Sequence, residues 1–299
     1  LAMVALGQGG SRSRVTTGEP VRLMLRDVPR QRWWPSDWPV DDRSYAYGAP
    51  ITRLALTSNA LHMAVMDPDR RLRRVMQATA QQRGGQFEMV MVNSEDRAGD
   101  HRRNRFSRPP QLLHTEESAP MHALLSLANT ESHNFTAEVL LREGADSWDL
   151  NRALLANTQW LQAQGMPMRG LRIRDGSGLS RGNRVTSRTL AALLWRMAQH
   201  PLGAYYQASM AIAGRRGTLR RYWRGTSLQG RFWGKTGTLR GVRALSGILE
   251  TSNGPRYVSM IANGALDPKP VMGRILQETQ RLSRCPSWSA TLRQPDGLG

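Results

Sequence analysis

The plainest chemical signal lies in one short stretch. Trp233-Gly234-Lys235-Thr236-Gly237-Thr238 sets a lysine, two hydroxyls and two glycines on what reads as a β-strand over residues 232–239. Lys235 and Lys269 are the only lysines in the chain, every other cation being arginine. A lysine beside threonine hydroxyls on an edge strand can bind a carboxylate. Gly237 lets a ligand come close to the backbone. The bland alternative is a chance lysine in an ordinary strand. Upstream, Ser132-His133-Asn134 falls between two predicted helices. An S-x-N triplet says little by itself, but this is the one S-x-N in the chain, and it precedes the one K-T-G. Between them, Asp175-Gly176-Ser177-Gly178-Leu179-Ser180-Arg181 reads as a turn after a short strand over 171–174. The three segments in this order are far more specific than any one of them.

The elements that must position these residues change character along the chain. Residues 1 to about 50 read as irregular, broken by Trp33-Trp34-Pro35, Trp38-Pro39 and Gly48-Ala49-Pro50. Their tryptophans suit either a stacking surface for sugars or bases, or packing over a domain edge. Residues 51–65 alternate around Ser58-Asn59 as a hairpin would, and 86–92 reads as another strand. The polar, arginine-rich stretch 93–110 ends in Pro109-Pro110 and is the expected boundary. Beyond it come apolar-periodic helices over 121–129 and 135–142. A third helix is capped near Asp146 or Ser147 and stops at Gly165, and a fourth is capped by Thr186 or Ser187. Strands over 232–239, 242–251 and 257–263 follow, with an Asn253-Gly254 turn, and Pro268 opens a last helix. Helices, an antiparallel meander and a closing helix make an α+β domain.

The strings E-S-H-N-F-T-A-E, D-G-S-G-L-S-R and K-T-G-T-L-R-G-V resemble the D-Ala-D-Ala carboxypeptidase/endopeptidase family of class C low-molecular-mass penicillin-binding proteins, peptidase S13. Trp38-Pro39 and Tyr45-Ala46-Tyr47-Gly48-Ala49-Pro50 are also similar to it, so the match runs from about residue 35 to the last helix. The resemblance implies a penicillin-binding-protein/serine β-lactamase-like fold and acyl transfer without metal or cofactor. It implies that Ser132 relays protons to the leaving amine and that Asn134 holds the substrate's peptide carbonyl. Lys235 would supply positive charge, Thr236 and Thr238 would bind the terminal carboxylate, and the Thr238 N–H would be half of an oxyanion hole beside Gly237. One such donor contributes about 3–4 kcal/mol. Asp175 and Ser177 would shape the site's wall, and His133 would be a spacer. Implied partners are peptidoglycan stem peptides and, for a full-length parent, β-lactams; the implied compartment is the bacterial periplasm.

One departure is serious. The family's nucleophile comes from S-x-x-K, but Phe232 stands three residues before Lys235 and Leu266 three before Lys269. The chain also opens at Leu1, and its first apolar stretch, residues 1–6, is too short for a signal-peptide core. The expectation is a piece lacking the N-terminal part. Residues 1–112 would be the remnant of an inserted β-rich accessory region, and 113–299 the C-terminal part of the transpeptidase-like catalytic domain. Such a chain is expected to be inactive alone, since groups of this kind act as a unit. The alternative is a noncatalytic wall-peptide-binding protein.

Composition narrows the rest. A single cysteine, Cys285, excludes an internal disulfide and a Cys-clustered zinc site, and the six histidines have no metal-ligand spacing. No apolar run approaches the roughly 18 residues of a transmembrane helix. Lys+Arg 42 against Asp+Glu 23 gives a net charge of +19. That charge attracts polyanions or simply reflects arginine on solvated faces. No nucleic-acid motif accompanies it, so no specific nucleic-acid partner is expected.

Overall fold

The computed structural model describes residues 2–5, 21–93, 111–115, 117–265 and 267–282. They form two compact units that interleave along the chain. The first draws on Leu1–Leu124, His133–Gln164 and Arg172–Arg184, the second on Leu125–Ser132, Gly165–Leu171 and Val185–Gly299. The expected boundary residues 94–110 lie outside the described residues, as does Cys285.

In the first unit β1 (Ala2–Ala5), β2 (Val21–Asp27), β3 (Phe87–Asn93) and β4 (Gln111–Thr115) form a sheet in the order β3-β2-β1-β4. β1 is antiparallel to β2 and β4, whereas β2 and β3 are parallel. A parallel pair needs a long crossover, and α1 (Pro68–Gln82) lies within it. Asp67 caps α1 by accepting from Arg70 N at 3.0 Å, Pro68 occupies its first turn, and Asp69 pairs with Arg73 four residues on. Leu72 then packs among Val28, Trp33, Leu54 and Met89.

Two expectations are corrected here. The first fifty residues are not all irregular, since β1 and β2 lie there. Residues 51–65 form turns with isolated bridges, Tyr45 to Met63 and Ala60 to Ala64, and no hairpin. Side chains take the backbone groups that a ladder would use. Asp27 accepts from Arg53 N at 3.1 Å, Asn59 Nδ2 donates to Pro50 O at 3.0 Å, and Ser58 Oγ accepts from Ala60 N at 2.9 Å. Trp33 and Trp38 are buried, which is the packing alternative for this segment.

α2 (Met121–Thr130) has residues in both units, and α3 (Asn134–Gly144) and α4 (Leu150–Ala163) belong to the first. The α4 cap is Asp149, which accepts from Arg152 N at 2.9 Å, two or three residues later than expected. The short strand expected over 171–174 is a single bridge, Arg172 to Arg184.

The second unit is an antiparallel sheet between helices. α5 (Ser187–Ala198), capped by Thr186, and α6 (Gly203–Ala208) precede β5 (Ala211–Ile212), β6 (Phe232–Leu239), β7 (Val242–Leu249) and β8 (Arg256–Asn263); α7 (Lys269–Arg281) closes it. The strands follow in order β5-β6-β7-β8. Side chains alternate between faces. Phe232, Leu245 and Leu249 pack with Met272 and Leu276 of α7, while Ile248 and Trp233 pack with Leu194 of α5 and Tyr206 of α6. Gly234 and Gly247 face each other across β6 and β7, where a Cβ on either would strike the Phe232 ring.

Candidate active site

Between α2 and α3 the chain has only Glu131, Ser132 and His133 in which to turn. Ser132 takes the strain of that turn with φ at +60°, a left-handed conformation uncommon for a residue with a Cβ. The end of α2 is tied down just before it. Thr130 Oγ1 donates to Ser209 O at 2.6 Å and Asn129 Nδ2 to Ser209 Oγ at 2.8 Å. Gly217, at φ +63°, lies so close to Thr130 O that no Cβ would fit.

β6 carries the other half of the contact. Lys235 Nζ donates to Ser132 Oγ at 2.6 Å and to Thr236 O at 2.8 Å. The lysine is half-buried, and burial pushes its ammonium down to about 8. No carboxylate contributes to that shift. Thr236 Oγ1 donates to Thr218 Oγ1 at 3.0 Å. Gly237 sits opposite Ala244, where a Cβ would come within 3.2 Å of the alanine methyl, so glycine here also serves the fit between β6 and β7.

Along β6 the peptide groups alternate between edges. Ala213 N–H donates to Phe232 O, so Phe232, Gly234, Thr236 and Thr238 turn theirs away from β7. β5 covers that edge only at Trp233 and Gly234. Among the described residues no strand pairs with it at Thr236 and Thr238. An extended peptide therefore has the N–H of each threonine and the C=O of Thr238 to pair with, the Thr236 C=O already accepting from Lys235.

The remaining candidates sit in the first unit. Asn134, the first residue of α3, donates from Nδ2 to Tyr47 O at 2.9 Å. His133 is the N-cap of α3. Its Nδ1 accepts from Thr136 N at 3.3 Å, which places the ring proton on Nε2, 3.3 Å from Ala60 O. Asp175 organises its own loop, accepting from Trp38 Nε1 at 2.9 Å, Gly178 N at 2.8 Å, Ser180 N at 2.5 Å and Asn183 Nδ2 at 2.8 Å. Glu138, wholly buried, accepts from Gly176 N at 2.9 Å and Ser177 N at 2.8 Å and pairs with Arg142 at 2.8 Å. Burial raises the Glu138 carboxyl, and the guanidinium opposes that rise. Sequence reasoning missed Thr218, Glu138, Arg142 and the Tyr47 carbonyl. Of these, Glu138 and Arg142 were open to discovery, as an i,i+4 pair on a helix.

Residues 59–282 match the model of the D-Ala-D-Ala carboxypeptidase 3 (S13) family. The chain belongs to the S13 family. It is 35% identical over 172 residues to a D-alanyl-D-alanine carboxypeptidase from Actinomadura sp. (strain R39), covering 54% of this chain and 32% of that protein. It is 26% identical over 235 residues to D-alanyl-D-alanine carboxypeptidase DacB of Haemophilus influenzae, covering 74% and 47%. The chain thus spans between a third and a half of the length of these S13 relatives. Its fold is similar to that of the crystal structure of penicillin-binding protein 4 from Haemophilus influenzae, with TM-score 0.71 and 17% identity over 93% of this chain and 85% of that one. The S13 chain is therefore α+β, of the penicillin-binding-protein/serine β-lactamase kind. Among its described residues no helix is long and apolar enough to cross a membrane.

Proposed function

We propose that these residues are part of a serine-type D-Ala-D-Ala carboxypeptidase/endopeptidase of peptidoglycan metabolism. The observation that carries the reading is the 2.6 Å contact between Lys235 Nζ and Ser132 Oγ, which joins the S-x-N and K-T-G segments. In that reading Ser132 passes a proton to the leaving amine, and Lys235 keeps the serine oxygen in place and favours a nearby carboxylate. Thr236 and Thr238 bind the terminal carboxylate with their hydroxyls, and the Thr238 N–H, on the open edge of β6, receives developing negative charge. Gly237 keeps that edge free of side chain, and Asn134 holds the substrate's peptide carbonyl. The substrate lies outside the cytoplasmic membrane, so the protein works in the periplasm and needs no cofactor. Residues 1–112 come from an accessory region and 113–299 from the catalytic domain. In support, β1, β2 and β3 precede residue 112 and all strands of the second sheet follow residue 210, while β4 (Gln111–Thr115) crosses the boundary.

The 299 residues contain no S-x-x-K serine, so this polypeptide by itself binds without turning over. The test pairs two measurements. Calorimetry with a D-Ala-D-Ala peptide should give binding that is lost in Lys235→Ala. Intact-mass analysis after incubation with penicillin should give no adduct. Stoichiometric penicilloylation would overturn the claim of inactivity, and absence of peptide binding would overturn the role of the K-T-G strand.

A further inference from the structure

The Ser132–Lys235 contact has a chemistry that does not depend on any serine outside it. A serine hydroxyl becomes a nucleophile when a neutral base lies within hydrogen-bond reach, and a lysine serves as that base when it is desolvated and unpaired. Here the reach is 2.6 Å. Lys235 is half-buried, its other contact is a carbonyl, Thr236 O, and no carboxylate among the described residues neutralises it. Ser132 is also half-buried and so keeps part of its surface exposed. Its left-handed φ and the anchored end of α2 hold that oxygen against the amine.

We propose that Ser132 and Lys235 form a nucleophile–base pair in their own right, with Ser132 accepting the acyl group of a small, strongly activated ester. Unprotonated Nζ takes the Ser132 hydroxyl proton as Oγ attacks the ester carbonyl carbon. The carbon–Oγ bond forms, the bond from that carbon to the aryl oxygen breaks, and the aryl oxide leaves with the electron pair. The proton stays on Nζ until solvent removes it. The amine is available in mildly alkaline buffer, because burial has brought Lys235 to about 8. Neighbours on the same face, Trp233, Ser246, Ser259 and Tyr257, together with Tyr206 of α6, are uncharged there; burial raises both tyrosines. The claim is confined to esters reactive enough to need no further positioning group, so it stands apart from the inertness toward penicillin proposed above.

The experiment uses the 299-residue chain and 4-nitrophenyl acetate at mildly alkaline pH. Intact mass and peptide mapping should find one acetyl group, on Ser132, with 4-nitrophenolate released in an initial phase of matching size. Ser132→Ala should abolish both. Lys235→Arg, which keeps a cation but cannot take the proton, should slow acetylation about a hundredfold while circular dichroism stays native. Lys235→Met carries the same expectation and replaces it if the arginine variant does not fold. An unmodified chain, an acetyl group mapped only to other residues, or an undiminished rate without the lysine would overturn the proposal. A penicillin adduct would instead overturn the claim of inactivity made above and leave this pair untouched.

Discussion

Glu138 and Lys235 are both ionisable groups withdrawn from water, and the protein treats them in opposite ways. Glu138 has no exposure, yet both its oxygens are used: Gly176 and Ser177 donate to one, and Arg142 pairs with the other. Lys235 is half-buried and has a serine hydroxyl and a carbonyl for partners, with no counter-ion among the described residues. A buried charge that is fully paired has a structural task, because part of its cost is offset where it sits. A withdrawn charge left without a counter-ion is destabilising in the empty protein, and such groups cluster where a ligand or a proton must be received. Lys235 is therefore the better marker of function, although Glu138 is the more deeply buried.

Breaking the paired side should do the most damage. Arg142→Ala leaves the Glu138 carboxylate buried without its cation, and should cost about 3–5 kcal/mol in urea denaturation. A loss below about 1 kcal/mol would mean that Glu138 is already neutral and that the contrast is overstated.

His133, next to Ser132 and near Glu138 in sequence, sharpens the contrast at a smaller scale. If it is a cap and not a base, His133→Ala should cost about 1 kcal/mol. His133→Asn, which can also accept from Thr136 N, should restore most of that. Peptide binding should follow stability and not the presence of an imidazole.

A further effect lies on the unpaired side and is read through pH. Burial lowers Lys235 from 10.5 to about 8, so between those values the unfolded chain holds a proton that the folded chain has released. Stability then rises with pH across that window, and the burden of the buried ammonium is fully present below it. Lys235→Met removes this dependence. The melting temperature of the wild type, relative to that variant, should therefore climb between about pH 8 and pH 10. A constant difference would show that the lysine is solvated.

Much of this molecule was legible in short-range patterns. The bounds of β6 matched the expected strand, and the Thr186 cap and Pro268 start appear where capping chemistry placed them. The order of S-x-N, D-G-S-G and K-T-G pointed to the S13 family before any distance was known. α1 lay outside the expected elements, although Asp67-Pro68 is an ordinary helix start. The false hairpin at 51–65 arose because alternation is blind to side chains that capture backbone groups.

The sequence by itself determined which residue types are present, their order and most of the local elements, since caps and periodicities act over a few residues. Tertiary structure alone decided that Ser132 and Lys235, 103 residues apart, would meet at 2.6 Å. Among the described residues, it alone left Lys235 without a carboxylate and the edge of β6 without a paired strand at its threonines. Those facts depend on how α2, the 209–217 segment and β6 pack together. Packing distances and desolvation belong to the assembled fold and leave no periodic trace along the chain.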